Sequence, residues 1–284
     1  MPIGPFPLAA VQAARPELFG ACSGHLEGPS WRNGEVIFAA DGMGMMRADA
    51  QGKVYRYHPS LNPVGSFALA DGSILICEKK YILVQLFPDG KVGVLVGEGT
   101  PATFCNDVTV DGDGNIYFSD AHAHNVVKLT PAGEMSTFIG GRNYPNGVEV
   151  DPANKYLYFS DTGVNMVFRA PLANPSAVER LGAIIADGMA FDAWGNLWMA
   201  QVTLGVAIVY DPVMRKEITR VPTGGPQATN FAFGGPAHDT LFSTVADKGI
   251  MRVNVGARGF SHPGAAKYAV KTMLDLVPAN TPLN

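Results

Sequence analysis

Cysteine is scarce in this sequence, and its placement does not suggest a crosslinked or zinc-bound fold. The 284 residues include three cysteines, Cys22, Cys77 and Cys105, which are an odd number at wide spacings. Disulfide-rich domains carry even sets of cysteines, and thiolate zinc sites use pairs a few residues apart. We therefore predict neither a disulfide framework nor a cysteine zinc site. A reducing cytoplasm is the simplest location.

Strong charge and long apolar segments are also absent. Charged residues make up 16% of the sequence, the formal net charge is −4, and no run of Lys or Arg exceeds two. This composition argues against nucleic acid or an anionic membrane surface as a partner. No apolar stretch approaches the ~18 residues that span a bilayer. The N-terminus has no basic start before its apolar part, so we do not expect a secretory signal.

What the sequence does contain is a polar residue that recurs at a regular interval, each time just before a short apolar strand. The segments are EGPSW at Glu27, GSF at Gly65, NDVTVD at Asn106, NGVEVD at Asn146, DGMAFD at Asp187 and TNFAF at Thr229. Their spacings are 38, 41, 40, 41 and 42 residues, and the copy at Gly65 has lost the polar side chain. Strand-rich repeats of this period are typical of propeller blades. The sequence predicts an all-β, six-bladed β-propeller over residues 1–284, as one domain.

Each repeat contains short runs of β-branched and aromatic residues, separated by turns rich in Asp, Gly and Asn. These runs are typical of strands, and none shows a sustained helical period. A large β-sandwich is the alternative, which the regular period disfavours. The last repeat has only three strands of its own. Its outer strand comes from either Val11–Phe19 or Tyr268–Leu276, and the sequence leaves both open.

Two rings of polar residues are expected at one end of the propeller. First strands converge on the axis, so the polar residues at their starts form an inner ring of Glu27, Asn106, Asn146, Asp187 and either Thr229 or Asn230. Second strands end on the same face, where they place an outer ring of Asp41, Glu78, Asp120, Asp161 and Gln201. The FSD endings at Asp120 and Asp161 recur unchanged. We therefore favour a structural role for the outer ring.

The inner ring predicts a metal site. Two carboxylates brought close together would repel each other and lose hydration, and a divalent cation offsets both costs. Oxygen ligands of this kind suit Ca²⁺, Mg²⁺ or Mn²⁺, and Zn²⁺ is possible. So few protein ligands leave coordination positions open for water or substrate, which is the arrangement of a catalytic site. A structural reading stays open, because Asp and Asn before a strand also serve as turn residues.

The loops after the second strands lie on this same face and are candidates for the pocket. They carry Met43 in the first blade and His122 and His124 in the third. With Asn230 of the inner ring, these residues make up the expected rim of a substrate pocket. Solvated loop residues are the alternative for both histidines.

The chain resembles the gluconolactonase/regucalcin family, also known as senescence marker protein. The resemblance extends over roughly residues 26–255, and the motifs that carry it in order are LEGPSW, FCNDVTVDGDGNIYFSD, YPNGVEVDPANKYLYFSDT and ADGMAFDAWGNLWMA. It implies a six-bladed propeller with one divalent metal ion at its centre, with Ca²⁺ the first expectation. Members of this family commonly hydrolyse lactones, so the resemblance implies a small-molecule lactone or ester substrate.

The resemblance also implies roles for individual residues. Glu27, Asn146 and Asp187 match the metal ligands of the family. Asp187 matches the general base, and Asn106 matches an amide that contacts substrate or completes the metal shell. Sugar-lactone enzymes of the family often have an arginine where this chain has Phe104. That departure favours a pocket for a less polar lactone or ester over one for a polyhydroxylated lactone.

The sequence therefore predicts a metal-dependent lactonase. Two alternatives stay open because a fold does not fix a reaction. One is a metal-dependent dehydratase or isomerase that acts on a hydroxy-acid derivative. The other is a non-catalytic propeller that binds calcium.

Overall fold

The computed structural model describes residues 4–262 and 267–283, and its strands are short and numerous, as the turn-rich sequence predicts. In these two ranges the elements in chain order are α1 (Leu8–Ala13), β1 (Pro16–Ala21), β2 (Leu26–Arg32), β3 (Glu35–Ala40), β4 (Gly44–Ala48), β5 (Val54–His58), β6 (Pro63–Ala68), β7 (Ile74–Glu78), β8 (Ile82–Leu86), β9 (Val92–Val96), β10 (Cys105–Val110), β11 (Ile116–Asp120), β12 (Asn125–Leu129), β13 (Met135–Ile139), β14 (Pro145–Val150), β15 (Tyr156–Asp161), β16 (Met166–Pro171), β17 (Glu179–Gly182), β18 (Met189–Phe191), β19 (Leu197–Gln201), β20 (Val206–Asp211), β21 (Lys216–Pro222), β22 (Ala228–Gly234), β23 (Thr240–Val245), β24 (Gly249–Asn254), β25 (Thr272–Leu274) and β26 (Thr281–Pro282).

The strands of the described residues form six antiparallel sheets, which are the six blades. Blades three, four and five are simple meanders of consecutive strands, β10 to β13, β14 to β17 and β18 to β21. The first blade has the order β2-β3-β4-β5-β26, and the second has β25-β9-β8-β7-β6. The sixth has the order β1-β24-β23-β22. The predicted six-bladed propeller is confirmed.

The sixth blade is closed by the N-terminal strand. Of the two segments that the sequence left open, the structure uses the first, because β1 pairs antiparallel with β24 from Pro16↔Val253 to Ala21↔Gly249. The C-terminal segment instead extends two other blades. There β25 pairs with β9 and β26 pairs with β5. The two ends of the described chain therefore contribute additional strands to three of the blades.

The core lies between blades, because alternate side chains of a strand point to opposite faces of its sheet. In β11, Phe118 packs in a cluster with residues of the second blade, including Leu75. Its neighbour Tyr117 packs in another cluster with residues of the fourth blade, including Phe159. These side chains are almost fully buried. This packing fixes each blade against the next and holds the six first strands around one axis.

The cysteines correct one expectation from the sequence. Cys77 in β7 and Cys105 in β10 form a disulfide that joins the second blade to the third, with their Cα atoms 4.9 Å apart. Cys22 is the free cysteine and is buried. The spacing of 28 residues hid this pair, because neighbouring blades bring together positions that are far apart in sequence. The scarcity of cysteine therefore no longer argues for a reducing cytoplasm. In the described ranges, the structure contains no helix with the length and apolarity needed to cross a membrane.

Candidate functional site

The first strands bring four of the predicted inner-ring residues into one cavity at the propeller axis. Glu27 and Asn146 lie at the starts of β2 and β14, Asn106 lies at the start of β10, and Asp187 lies just before β18. The cavity has a volume of about 300 Å³. Its lining consists of His25, Glu27, Ala39, Asp41, Pro63, Val64, Lys79, Phe104, Asn106, Tyr144, Asn146 and Asp187. The predicted metal-ligand set and the predicted catalytic residues therefore face the same space.

Two carboxylates of this cavity, Glu27 and Asp187, are partly buried and lie close enough to influence each other. Burial raises the pKa of Asp187 well above its usual value, and the charges of Glu27 and Asp107 raise it further. A hydrogen bond from the Asn146 side chain acts in the opposite direction. The Glu27 side chain is only 15% exposed. Concentrated negative charge in a partly dehydrated cavity is the condition that a bound cation would relieve.

Asp107 is a carboxylate near the propeller axis that the sequence did not lead us to expect. It occupies the position after Asn106, whereas Glu27, Asn146 and Asp187 are each followed by glycine. It is 6% exposed, and its Oδ2 accepts a hydrogen bond from the Val148 amide at 3.2 Å. Burial raises the pKa of Asp107 to about 8. The break in the repeat, NDV in place of NGV, was the signal that could have identified this residue.

The glycines after the polar ring residues let neighbouring first strands approach at the axis. A Cβ atom on Gly147 would lie 2.0 Å from the backbone oxygen of Asp187. A Cβ on Gly28 would lie 2.4 Å from the Ser66 amide nitrogen. Contacts this short to backbone cannot be relieved by a side-chain rotation. Glycine at these positions therefore lets the polar side chains of different blades lie in one cavity.

Two ion pairs lie at the edge of the cavity. His25 Nε2 is 3.4 Å from Glu27 Oε1, and this hydrogen bond is the main cause that raises the pKa of His25. Lys79 Nζ donates to Asp41 Oδ1 at 2.7 Å, and both side chains are well exposed. Sequence reasoning did not assign Lys79 to the pocket. Its signal was its place directly after the outer-ring residue Glu78.

The outer-ring carboxylates hold the loops that lead into the first strands. Asp120 Oδ1 accepts a hydrogen bond from the Phe104 amide at 3.1 Å, and Asp161 Oδ1 accepts one from the Tyr144 amide at 2.8 Å. Glu78 Oε1 accepts an amide hydrogen bond at 2.7 Å from the loop before the first strand of its own blade. Because Phe104 and Tyr144 line the cavity, these acidic residues position its wall through the backbone.

Of the other predicted pocket residues, Phe104 is on the cavity wall, and His122 stacks on the Phe104 ring. The two rings are 4.3 Å apart between centroids, with an angle of 19° between their planes. His122 and His124 are exposed, and His124 Nδ1 is bonded to the Asn143 carbonyl at 2.6 Å. The structure does not bring His122 or His124 into the lining of this cavity.

Met43 and Asn230 also lie outside the lining of this cavity. Met43 is half-buried and packs beside the apolar cluster of the first blade, which includes Phe38. Asn230 is buried and lines a second cavity of about 570 Å³. The second cavity is bordered by residues at the far ends of the first strands, such as Arg32 and Phe233, so it opens at the opposite end of the axis.

The residues of the first cavity fit a divalent cation by their chemistry. In the described parts of the chain, no group of three or more His, Cys, Asp or Glu side chains is arranged to hold a metal ion. A cation here would have to use an amide oxygen together with the two carboxylates. Glu27, Asn146 and Asp187 provide that all-oxygen set in one cavity, and it is the type of set that Ca²⁺ and Mg²⁺ bind.

Comparison with known proteins agrees with the fold and with the predicted resemblance. A family model described as SMP-30/Gluconolactonase/LRE-like region matches residues 26–247, which confirms the resemblance. Pentonolactonase XacC of Haloferax volcanii is 26% identical over 252 residues, which are 78% of this chain and 81% of that protein.

Solved structures support the propeller architecture. A gluconolactonase from Xanthomonas campestris superposes with a TM-score of 0.77 at 22% identity, over 87% of this chain and 92% of that one. A calcium-binding protein, regucalcin from Agrobacterium tumefaciens, superposes with a TM-score of 0.72 at 19% identity. That match extends over 90% of this chain and 97% of the other. At these identities the superpositions establish the fold alone.

Proposed function

The chain belongs to the SMP-30/gluconolactonase/LRE-like family, and on that premise we propose that it is a lactonase, an enzyme that opens the ring of a cyclic ester by hydrolysis. The observation that carries the proposal is the cavity shared by Glu27, Asn106, Asn146 and Asp187. Relatives named as lactonases support the same reaction class.

We further propose that Glu27, Asn146 and Asp187 hold one divalent cation in this cavity, with Ca²⁺ as the first candidate and Zn²⁺, Mn²⁺ or Mg²⁺ as alternatives. The donor set supports this, because carboxylate and amide oxygens are the ligands that hard cations prefer. The raised pKa of Asp187 supports it too, because a partly buried carboxylate with like charges nearby is stabilised by a cation. When bound, such an ion supplies Lewis-acid polarisation of the lactone carbonyl.

The proposed mechanism uses two side chains directly. Asp187 takes a proton from the water molecule whose oxygen forms the new bond to the carbonyl carbon. Asn106 donates an amide hydrogen bond to a substrate oxygen and so orients the ring. The ring carbon–oxygen bond then breaks, and the alkoxide that leaves takes up the proton that Asp187 accepted, which gives the open hydroxy acid and restores the carboxylate. Water is consumed, and no redox partner is needed.

The test is lactone hydrolysis by purified protein with and without a divalent cation. We expect Glu27→Gln and Asp187→Asn each to lower kcat/KM by at least about 100-fold, because each removes a charged group from the site. Asp113→Asn is the matched control, since Asp113 is exposed at a turn away from the cavity. Circular dichroism checks that each variant is folded. Full activity in both site variants would reject the assignment.

Product analysis separates the two other functions that the sequence left open. A lactonase yields a hydroxy acid that is heavier than its substrate by one water, whereas a dehydratase loses water and an isomerase leaves the mass unchanged. A non-catalytic calcium-binding propeller would bind the ion and produce no turnover with any lactone. Mass spectrometry of the product therefore decides between these reaction classes.

A further inference from the structure

We infer that the cavity selects lactones that carry a flat, apolar substituent, such as an aryl group, over polyhydroxylated lactones. This inference rests on the proposed lactonase function and names its substrate class. It comes from a second ring of residues in the repeat, which stands two positions before the inner ring in each blade.

Residues two positions apart in an extended chain point to the same side, so this second ring borders the same cavity as the inner ring. In the first four blades its members are His25, Pro63, Phe104 and Tyr144, and all four line the cavity. Three of these four side chains are apolar or aromatic. Val64, next to Pro63, extends the apolar surface.

The aromatic part of this wall is held in place. Asp120 Oδ1 accepts a hydrogen bond from the Phe104 amide at 3.1 Å and one from the Ala123 amide at 3.0 Å. It thereby fixes both the segment that carries Phe104 and the loop that carries His122. The two rings stack at 4.3 Å, and His122, which is not part of the cavity lining, restrains the Phe104 ring. A preorganised aromatic face loses little freedom when a flat group stacks on it.

Two pairs of charged groups lie on the side of the cavity that the first two blades form. His25 is bonded to Glu27 and Lys79 to Asp41, all from the first two blades. In the described residues the lining contains no arginine. A lactone whose hydroxyl groups faced the Phe104 ring would lose hydrogen bonds to water without replacing them. An aryl group at the same place would instead gain aromatic contact.

The experiment compares two six-membered lactones, δ-phenyl-δ-valerolactone and glucono-δ-lactone, with each rate corrected for spontaneous hydrolysis. We expect the wild-type protein to show the larger kcat/KM for the phenyl compound. Phe104→Ala and Tyr144→Ala should each lower the ratio of the two kcat/KM values roughly fivefold to tenfold, because an aromatic contact is lost. Phe104→Arg should lower it further by supplying hydrogen-bond donors to hydroxyl groups.

Phe87→Ala is the matched control, because Phe87 is a half-buried phenylalanine at the end of β8, at the opposite end of the propeller. Its ratio should equal that of the wild type. A wild-type preference for glucono-δ-lactone, or a ratio that none of the three wall variants changes, would overturn the inference and leave the lactonase proposal standing. Failure to hydrolyse any lactone would instead overturn the proposed function, and this inference with it.

Discussion

At the scale of single residues, the residue that follows each polar ring position affects how closely the first strands approach and how charged the centre of the propeller is. Glycine at Gly28, Gly147 and Gly188 allows close approach between first strands. In the third blade this position is Asp107, which lines the second cavity and whose charge contributes to the raised pKa of Asp187. One break in the repeat thus changes the electrostatics of the whole site.

Because Asp107 is buried, we predict that the free energy of unfolding of the metal-free protein depends on pH in a specific way. Its pKa is about 8 in the folded protein, against an ordinary value of 3.8. The folded state therefore holds a proton that the unfolded state releases between these values, so the free energy of unfolding falls as pH rises through this window. One such group contributes a slope of at most about 1.4 kcal/mol per pH unit. Asp107→Asn should flatten the curve.

Urea unfolding in the presence of a chelator, at several pH values inside the window, measures this slope. Asp113→Asn removes an exposed carboxylate and should leave the slope as in the wild type. Equal slopes for Asp107→Asn and the wild type would show that Asp107 is not protonated in the folded protein at neutral pH.

Residue-level features could be predicted from the sequence only where the repeat aligned them. The polar positions Glu27, Asn106, Asn146 and Asp187 stand at equivalent points of four blades, so their meeting in one cavity followed from the fold. Asn230 also stands at a repeat position, in the sixth blade, but it lines the second cavity. His124 was placed near the pocket by its position in a loop alone. Where such side chains lie depends on local hydrogen bonds, such as that from His124 to the Asn143 carbonyl, which the repeat does not determine.

At the scale of elements, the N-terminal strand β1 is the piece that completes the sixth blade. It is far in sequence from its partner β24 and belongs to no repeat. Phe19 fixes it to the blade, since its ring packs edge-to-face on Phe242 at 5.3 Å and lies 5.4 Å from the Arg252 guanidinium carbon. Adjacent Leu18 is 55% exposed. The two residues alternate between the blade and solvent, as strand geometry requires.

We expect Phe19→Ala to lower the free energy of unfolding by about 2 kcal/mol, which is less than a fully buried phenylalanine would cost because Phe19 is half-buried. Leu18→Ala is the control in the same strand and should change it by less than about 0.5 kcal/mol. Chemical denaturation measures both values. If the two variants lost similar amounts of unfolding free energy, Phe19 would not be the residue that attaches β1 to the blade.

At the scale of the whole molecule, the repeat period was enough to predict the number of blades and a cavity at the propeller axis. The features it did not predict are a crosslink between blades and the strands that the chain ends add. The Cys77–Cys105 disulfide joins two blades across a separation of 28 residues, and the C-terminal strands β25 and β26 extend the second and first blades. No local sequence signal encodes such pairings, because they depend on how the ring closes.

The measurement that tests the account most directly is the number of Ca²⁺ ions bound per chain after dialysis. Side chains from the first, fourth and fifth blades are proposed to hold one ion together. The wild-type protein and the Asp113→Asn control should each bind one ion. Glu27→Gln, Asn146→Ala and Asp187→Asn should each lose it while remaining folded. Binding in all three variants that equals the wild type would contradict a shared site at the propeller axis.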